Sequence, residues 1–418
     1  MPKIRIREVD NTGAVSSSEI PNVVYIPGPA EGTDAVAPKL FTNAKAFHNA
    51  IHADDSGYEV DSLSEKMAYH LLTLGMQVIY EGVPVDALSG EPTAADWTTV
   101  WNNLVDKNLF DVRFITSGQF LLDKASGDEY SVNALKMVKC AATRCDAVAL
   151  LDFKTANDEV SEYRTFAEEV ENASETLTID ATKEPAAFAA AFAPKWTGNI
   201  NTFDGVEKIE NLPPSFAYLC AFARSVQENP MWYAVAGSFR GVIPELVEVN
   251  KEYNTADVEI LQARAKDIEV ALDEAGDNVG VAINPIAYKR PFGHLICGDR
   301  TLRKNLADEV TGVGKLKATS FLNCRVLSTE VAKVAYNASN KYQFEQNNNV
   351  LWTNFTSYIL PTLDRMSTGN GILDYTIVRV PTDKKARLSA KISLSPIEPV
   401  EDFDVEIELT DEISVSAS

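Results

Sequence analysis

From residue 22 onward, short apolar runs alternate with helical segments, and that alternation leaves few folds open. Val23-Val24-Tyr25-Ile26 is a compact apolar strand that Pro27-Gly28-Pro29 should stop. Leu63, Met67, Leu71 and Leu74 recur at helical spacing, Gly75 closes that helix, and Met76–Tyr80 reads as the next strand. A helix over 94–108 behind a Thr93 N-cap leads to Val112–Ile115, and a helix over 131–144 leads to Ala147–Leu151. The pattern predicts a third pair, a helix near 186–193 and a strand at Phe216–Cys220. A long helix over 255–275 and a strand at Val279–Ile283 follow. Strands that are apolar on both faces, separated by helices, predict a largely parallel sheet covered on both sides. Residues 154–212 are looser and more acidic and read as an insertion or surface excursion.

After residue 305 the character changes. Helices over 328–340 and 349–366 precede strand-like runs at 374–380, 387–394 and 403–409. Helices followed by consecutive strands predict a smaller α+β unit. Both ends alternate at period two, the mark of a strand with one polar face. Lys3, Arg5 and Arg7 interleave with Ile4 and Ile6, while Asp402, Asp404, Glu406 and Glu408 interleave with Phe403, Val405, Ile407 and Leu409. The expected division is an N-terminal arm (1–20) and an α/β core domain with a mostly parallel sheet (21–304, with 154–212 inserted). A C-terminal α+β domain (305–400) and a C-terminal arm (401–418) complete it.

Chemistry is harder to find. A net charge of −22 argues against a nucleic-acid binder, which needs a basic stripe. Five scattered cysteines (140, 145, 220, 297, 324) predict reduced, mostly buried thiols and neither a disulfide nor a zinc framework. No apolar run reaches the length of a membrane span, and the first residues lack the pattern of a signal peptide. The first strand ends without G-x-G-x-x-G. Gly312-Val313-Gly314-Lys315 lacks the earlier glycine of a phosphate loop, Glu309 standing there, and Leu316 replaces its Ser or Thr. His48 and His52 have the spacing of a metal-binding pair, but Asn49 stands where a zinc protease needs Glu; they read as solvated or helix-capping. With only His70 and His294 besides, no triad assembles. No catalytic residue, cofactor or metal is expected.

Three segments carry more information. They are Trp232-Tyr233-Ala234-Val235-Ala236-Gly237-Ser238-Phe239-Arg240-Gly241-Val242-Ile243, then Asn284-Pro285 with Gly298-Asp299-Arg300-Thr301-Leu302, then Tyr342–Glu345 with Asn348–Trp352 and Lys391–Glu401. In this order they resemble the tail sheath proteins of contractile bacteriophage tails, R-type bacteriocins and related contractile injection particles. Val235, where members often carry proline, and 154–212, which has no counterpart, depart from the pattern. The resemblance implies a structural subunit that polymerises as a helical tube around an inner tail tube and contracts to drive it through a target envelope. It implies partners in further copies of the chain, the tube protein, the baseplate and the tail terminator. Nucleic acid and membrane are not contacted directly. The place implied is a virion tail or phage-like particle, assembled in the host cytoplasm.

The resemblance further implies that the C-terminal sheet accepts the N-terminal arm of one neighbour and the C-terminal arm of another. Lys3, Ile4, Arg5, Ile6 and Arg7, with Phe403, Asp404, Val405, Glu406, Ile407, Glu408 and Leu409, are then intersubunit strands. The alternatives are an α/β enzyme with an oligomerising C-terminal domain and a non-contractile shell protein that exchanges arms. Arg240 and Arg300 compete between intersubunit and turn-stabilising roles, and the turn role is favoured.

Overall fold

The structure, a computed structural model, describes residues 22–86, 89–122, 132–177, 179, 184–263, 280–304, 306–307, 314–315, 317–382 and 386–400. Its first half alternates as the sequence predicts, with β2 and α1 as elements the sequence reading did not name: β1 (Val23–Pro29), β2 (Val36–Phe41), α1 (Ala44–Ile51), α2 (Leu63–Thr73), β3 (Gln77–Val83), α3 (Ala94–Leu104), β4 (Phe114–Ile115), α4 (Val132–Arg144) and β5 (Val148–Leu151). Then come α5 (Val160–Ser174), β6 (Ala189–Ala193), β7 (Trp196–Thr202), β8 (Gly205–Leu212), α6 (Pro214–Glu228), α7 (Gly237–Arg240), β9 (Leu246–Val249) and α8 (Thr255–Leu261). The remainder is β10 (Asn284–Lys289), β11 (Gly293–Ile296), β12 (Leu306–Ala307), β13 (Gly314–Lys315), α9 (Leu322–Lys341), α10 (Asn349–Thr368), β14 (Ile372–Val380) and β15 (Ser389–Pro396).

Eight strands form the main sheet in the order β11-β10-β6-β5-β4-β1-β3-β2. Every pair from β10 to β3 is parallel, and β11 and β2 close the edges antiparallel. Alternation along each strand divides its side chains between two cores. Val24, Ile26, Phe114, Leu150 and Phe192 face α2, α6 and α9, while Val23, Tyr25, Ile115 and Leu151 face α3, α4 and α5. Both faces are buried, which is why these strands read as continuous apolar runs.

Four expectations need correction. First, Phe216–Cys220 belongs to α6, not to a strand. Pro214 opens the helix, and its residues from Pro214 to Ala223 are all buried, so the apolar stripe that marks a helix disappears. Second, residues 186–193 are a short 3₁₀ turn at Pro185–Phe188 followed by β6, fully buried between β5 and β10. Alanine favours helix intrinsically, but small side chains also let helices approach both faces of a central strand; packing wins. With β6 inside the sheet, 154–212 is not a surface excursion. Third, the strand expected at Val279–Ile283 lies instead at Asn284–Lys289, and Val279 is outside the described residues. Fourth, Pro27-Gly28-Pro29 continues β1. β4 pairs only with Val24 and Tyr25. Tyr25 O accepts from Thr116 N, and Ala30 N donates to Val83 O on the opposite side. Pro27 and Pro29 thus turn their missing N–H groups toward the side where β4 has ended.

β1 lies between β3 and β4, both later in sequence, so the carboxyl end of β1 is a topological switch point of the kind that binds ligands in open α/β sheets. Here protein fills it. Gly118, at φ +62°, packs so closely that a Cβ would lie 2.1 Å from Pro27 O. Gln119 Oε1 accepts from Ser64 N at 3.1 Å, and Ser64 Oγ accepts from Gln119 N at 2.8 Å. With Ser62 Oγ accepting from Glu65 N, the N-terminal amides of α2 that could cradle a phosphate are met by side chains.

Candidate assembly interface

β14 and β15 form a two-stranded antiparallel ribbon separate from the main sheet. Tyr375 lies opposite Leu394, Ile377 opposite Ile392 and Arg379 opposite Ala390. Tyr375, Ile377, Ile392 and Leu394 pack on the core under α9 and α10, leaving Thr376, Val378, Lys391 and Ser393 on the outer face. Among the described residues no third strand pairs with either edge. A lone hairpin is marginal in water and presents unpaired main-chain groups, so both edges are templates for an added strand.

The motif segments hold this ribbon to the core. Trp232 is buried, and its Nε1 donates to Gly369 O at 2.9 Å in the turn between α10 and β14. A Cβ at Gly371 would come within 2.7 Å of the Trp232 ring. The Trp232 carbonyl accepts from Asn323 Nδ2 of α9 at 3.1 Å. Asn284 Nδ2 donates to Ala191 O and Arg300 O, and Asn284 Oδ1 accepts from Arg300 N at 2.7 Å. Asp299 Oδ2 accepts from Asn323 N at 3.1 Å in the first turn of α9. The conspicuous residues are thus joints between the sheet, the helix pair and the ribbon. Gly371→Ala is expected to cost about 1–3 kcal/mol, because the packed indole cannot retreat. Thermal unfolding measures the loss, and faster hydrogen exchange at 372–396 would localise it; unchanged exchange there would refute the joint.

Arg240 takes the turn role: its Nε donates to Ala234 O at 2.8 Å and its guanidinium lies 5.0 Å over Tyr233. Arg300 is buried, 4.6 Å over the Phe321 ring. Arg240 also lines, with exposed Lys289, Arg290 and Phe292, a cleft of about 420 Å³ that Pro399 and Val400 border. A basic cleft on a chain of net charge −22 suits an acidic segment. The ribbon leans the same way, with Arg379, Arg387 and Lys391 against Asp374 among its described charges.

Two clusters have the composition of metal ligands: His48, His52 and Glu65, and His70, Cys220 and Glu245. In the second both imidazole nitrogens are committed. His70 Nδ1 accepts from Asn201 N at 3.0 Å, so Nε2 carries the proton and donates to Glu245 Oε1 at 3.0 Å. Arg224 already neutralises Glu245. Burial, and then the Arg224 charge, lower the His70 pKa to about 4. The ring stays neutral when folded, whereas in the unfolded chain it takes a proton below about pH 6.5. The unfolded state therefore binds more protons between pH 6.5 and 4, and stability falls with pH through that window. The loss is on the order of 3 kcal/mol at its acid end. Subtracting the pH–stability curve of His70→Gln from that of the parent chain should isolate this slope; superimposable curves would exclude it.

The thiols of Cys140, Cys220 and Cys324 are pushed up to about 12, chiefly by burial. Lys3, Ile4, Arg5, Ile6, Arg7, Phe403, Asp404, Val405, Glu406, Ile407, Glu408 and Leu409 lie outside the described residues. Sequence reasoning missed the joints themselves: a tryptophan followed by Gly237 and Gly241 shows composition, not contact.

Compared by sequence, the chain matches no family model and no curated protein. Compared by structure, it resembles a chain of the anti-feeding prophage baseplate, with a TM-score of 0.60 and 14% identity over 98% of this chain and 99% of that one. It also resembles a chain of the PVC sheath complex of an extracellular contractile injection system in the contracted state, with a TM-score of 0.57 and 15% identity over 99% and 98%. A chain of the contracted-state anti-feeding prophage baseplate matches with a TM-score of 0.56 and 14% identity over 98% of both. At this identity the likeness establishes the fold: a mostly parallel α/β sheet carrying a helix pair and a small antiparallel ribbon.

Proposed function

We propose that the protein is a structural subunit of a contractile sheath. The reading rests on one observation above others: a ribbon whose two edges pair with no other strand among the described residues, bonded to a large core. Strand addition to those edges supplies main-chain hydrogen bonds between subunits without a preformed pocket. The full-length structural likeness to a chain of a sheath complex supports the same role. In this reading copies of the chain form a helical tube around an inner tube and meet a baseplate and terminator at its ends. Contraction repacks the core domains while the strand mesh stays linked. The site of action is a phage tail or phage-like particle, assembled in a bacterial cytoplasm. The arms at 1–20 and 401–418 are the exchanged strands, and 305–400 is the domain that receives them. The work is mechanical, and the filled switch point disfavours the nucleotide-enzyme alternative.

Expression of the chain alone, followed by negative-stain electron microscopy, tests the proposal. Hollow helical tubes are the expected result; discrete oligomers favour an enzyme, and closed shells a non-contractile coat.

A further inference from the structure

We propose that His48, His52 and Glu65 form a binding site for one divalent transition-metal ion of zinc-like character. His48 lies in the last turn of α1 and His52 caps it, so a spacing of four residues brings the rings together with centroids 4.0 Å apart. Glu65 enters from the first turn of α2 and is 5% exposed. Its Oε1 lies 2.8 Å from His52 Nε2 and 3.7 Å from His48 Nδ1. Donors bonded at 2.0–2.1 Å around a tetrahedral ion stand about 3.3 Å apart, between these two separations. One donor atom from each residue fits within 4.8 Å of the others, so small side-chain adjustments suffice.

The surroundings orient the donors. Asp61 N donates to Glu65 Oε2 at 2.7 Å, fixing the carboxylate and leaving Oε1 toward the imidazoles. Phe203, in the turn between β7 and β8, stacks on His48 at 3.7 Å with an interplanar angle of 4°. Among the described residues no lysine or arginine pairs with Glu65. A nearly buried carboxylate that faces two imidazole rings and no lysine or arginine among the described residues is well matched by a dication. The His48 and His52 side chains remain 17% and 29% exposed, which leaves an entry path and room for a water ligand. Two nitrogens and one oxygen select zinc, cobalt, nickel or copper over magnesium or calcium. The ion would clamp α1 to α2 on the face that carries Phe203. This placement does not depend on the sheath reading.

The test uses the full chain, stripped with a chelator and titrated with zinc by calorimetry and with cobalt by visible absorption. One ion per subunit and a tetrahedral cobalt spectrum are expected. His48→Ala, His52→Ala and Glu65→Gln should each weaken zinc at least tenfold, and His294→Ala, elsewhere on the surface, should leave it unchanged. His52 sits at an exposed helix end, so its variant reports even if Glu65→Gln fails to fold. Absence of binding, or equal affinity in the His48→Ala/His52→Ala double variant, would overturn the site.

Discussion

Removal of residues 401–418 is expected to leave soluble, folded monomers in place of the proposed tubes, and removal of residues 1–15 the same. Both segments lie outside the described residues, which by themselves supply the cores on the two faces of the main sheet, so their loss should leave stability intact. Assembly should fall by orders of magnitude, because strand addition concentrates the contact energy in main-chain bonds that vanish together. Charge refines the prediction. Residues 401–412 carry Glu401, Asp402, Asp404, Glu406, Glu408, Asp411 and Glu412 and no Lys or Arg, whereas the described ribbon is net basic. Opposite charges across strands contribute roughly 0.2–1 kcal/mol per pair and like charges oppose pairing. Under the proposed strand exchange, the acidic arm suits the strand position beside the ribbon, and the basic arm of Lys3, Arg5 and Arg7 the position beyond it. Reversing those three to Glu should abolish tubes. Sedimentation and negative-stain microscopy read both experiments, and normal tubes from either deletion or the reversal would refute strand exchange.

Glu330→Ala should be the most damaging single substitution in the core. Arg113, at the entry to β4, and Glu330 of α9 are both 0% exposed and joined at 2.8 Å, linking the sheet to the helix pair that carries the ribbon. Arg113 Nε and Nη1 make no hydrogen bond among the described residues, so its charge has little else to offset desolvation. Lys333, one turn further along α9, is nearly buried beside it. Its pKa is lowered to about 8 by burial and then by the Arg113 charge. Removing one member of a buried pair costs about 3–5 kcal/mol because the other charge stays behind. Replacing both with apolar residues of similar volume, as in Arg113→Met with Glu330→Leu, should restore most of it. Denaturant unfolding of both singles and the double measures the coupling. A loss below about 1 kcal/mol in Glu330→Ala would show that the pair does not hold the two parts together.

The alternation that fixes α/β architecture was legible where an element had a distinct boundary or a compact apolar run: the Thr93 cap, Gly75, and the apolar runs of β1, β3 and β5. It failed at α6 and β6, where complete burial erases the periodicity that separates helix from strand, and an alanine-rich strand imitates a helix. The motifs around Trp232, Asn284 and Asp299 were visible as unusual composition. Their action as joints was not, because each bonds to residues tens of positions away.

Local pattern and propensity, which the chain carries along its length, determined a parallel sheet, two late helices followed by strands, and two oppositely charged alternating ends. Tertiary structure alone decided which apolar runs became helix or strand, that protein fills the switch point, and that Glu65 meets His48 and His52. Those outcomes depend on burial and on distances between residues remote in sequence, and neither is encoded in any single stretch of the chain.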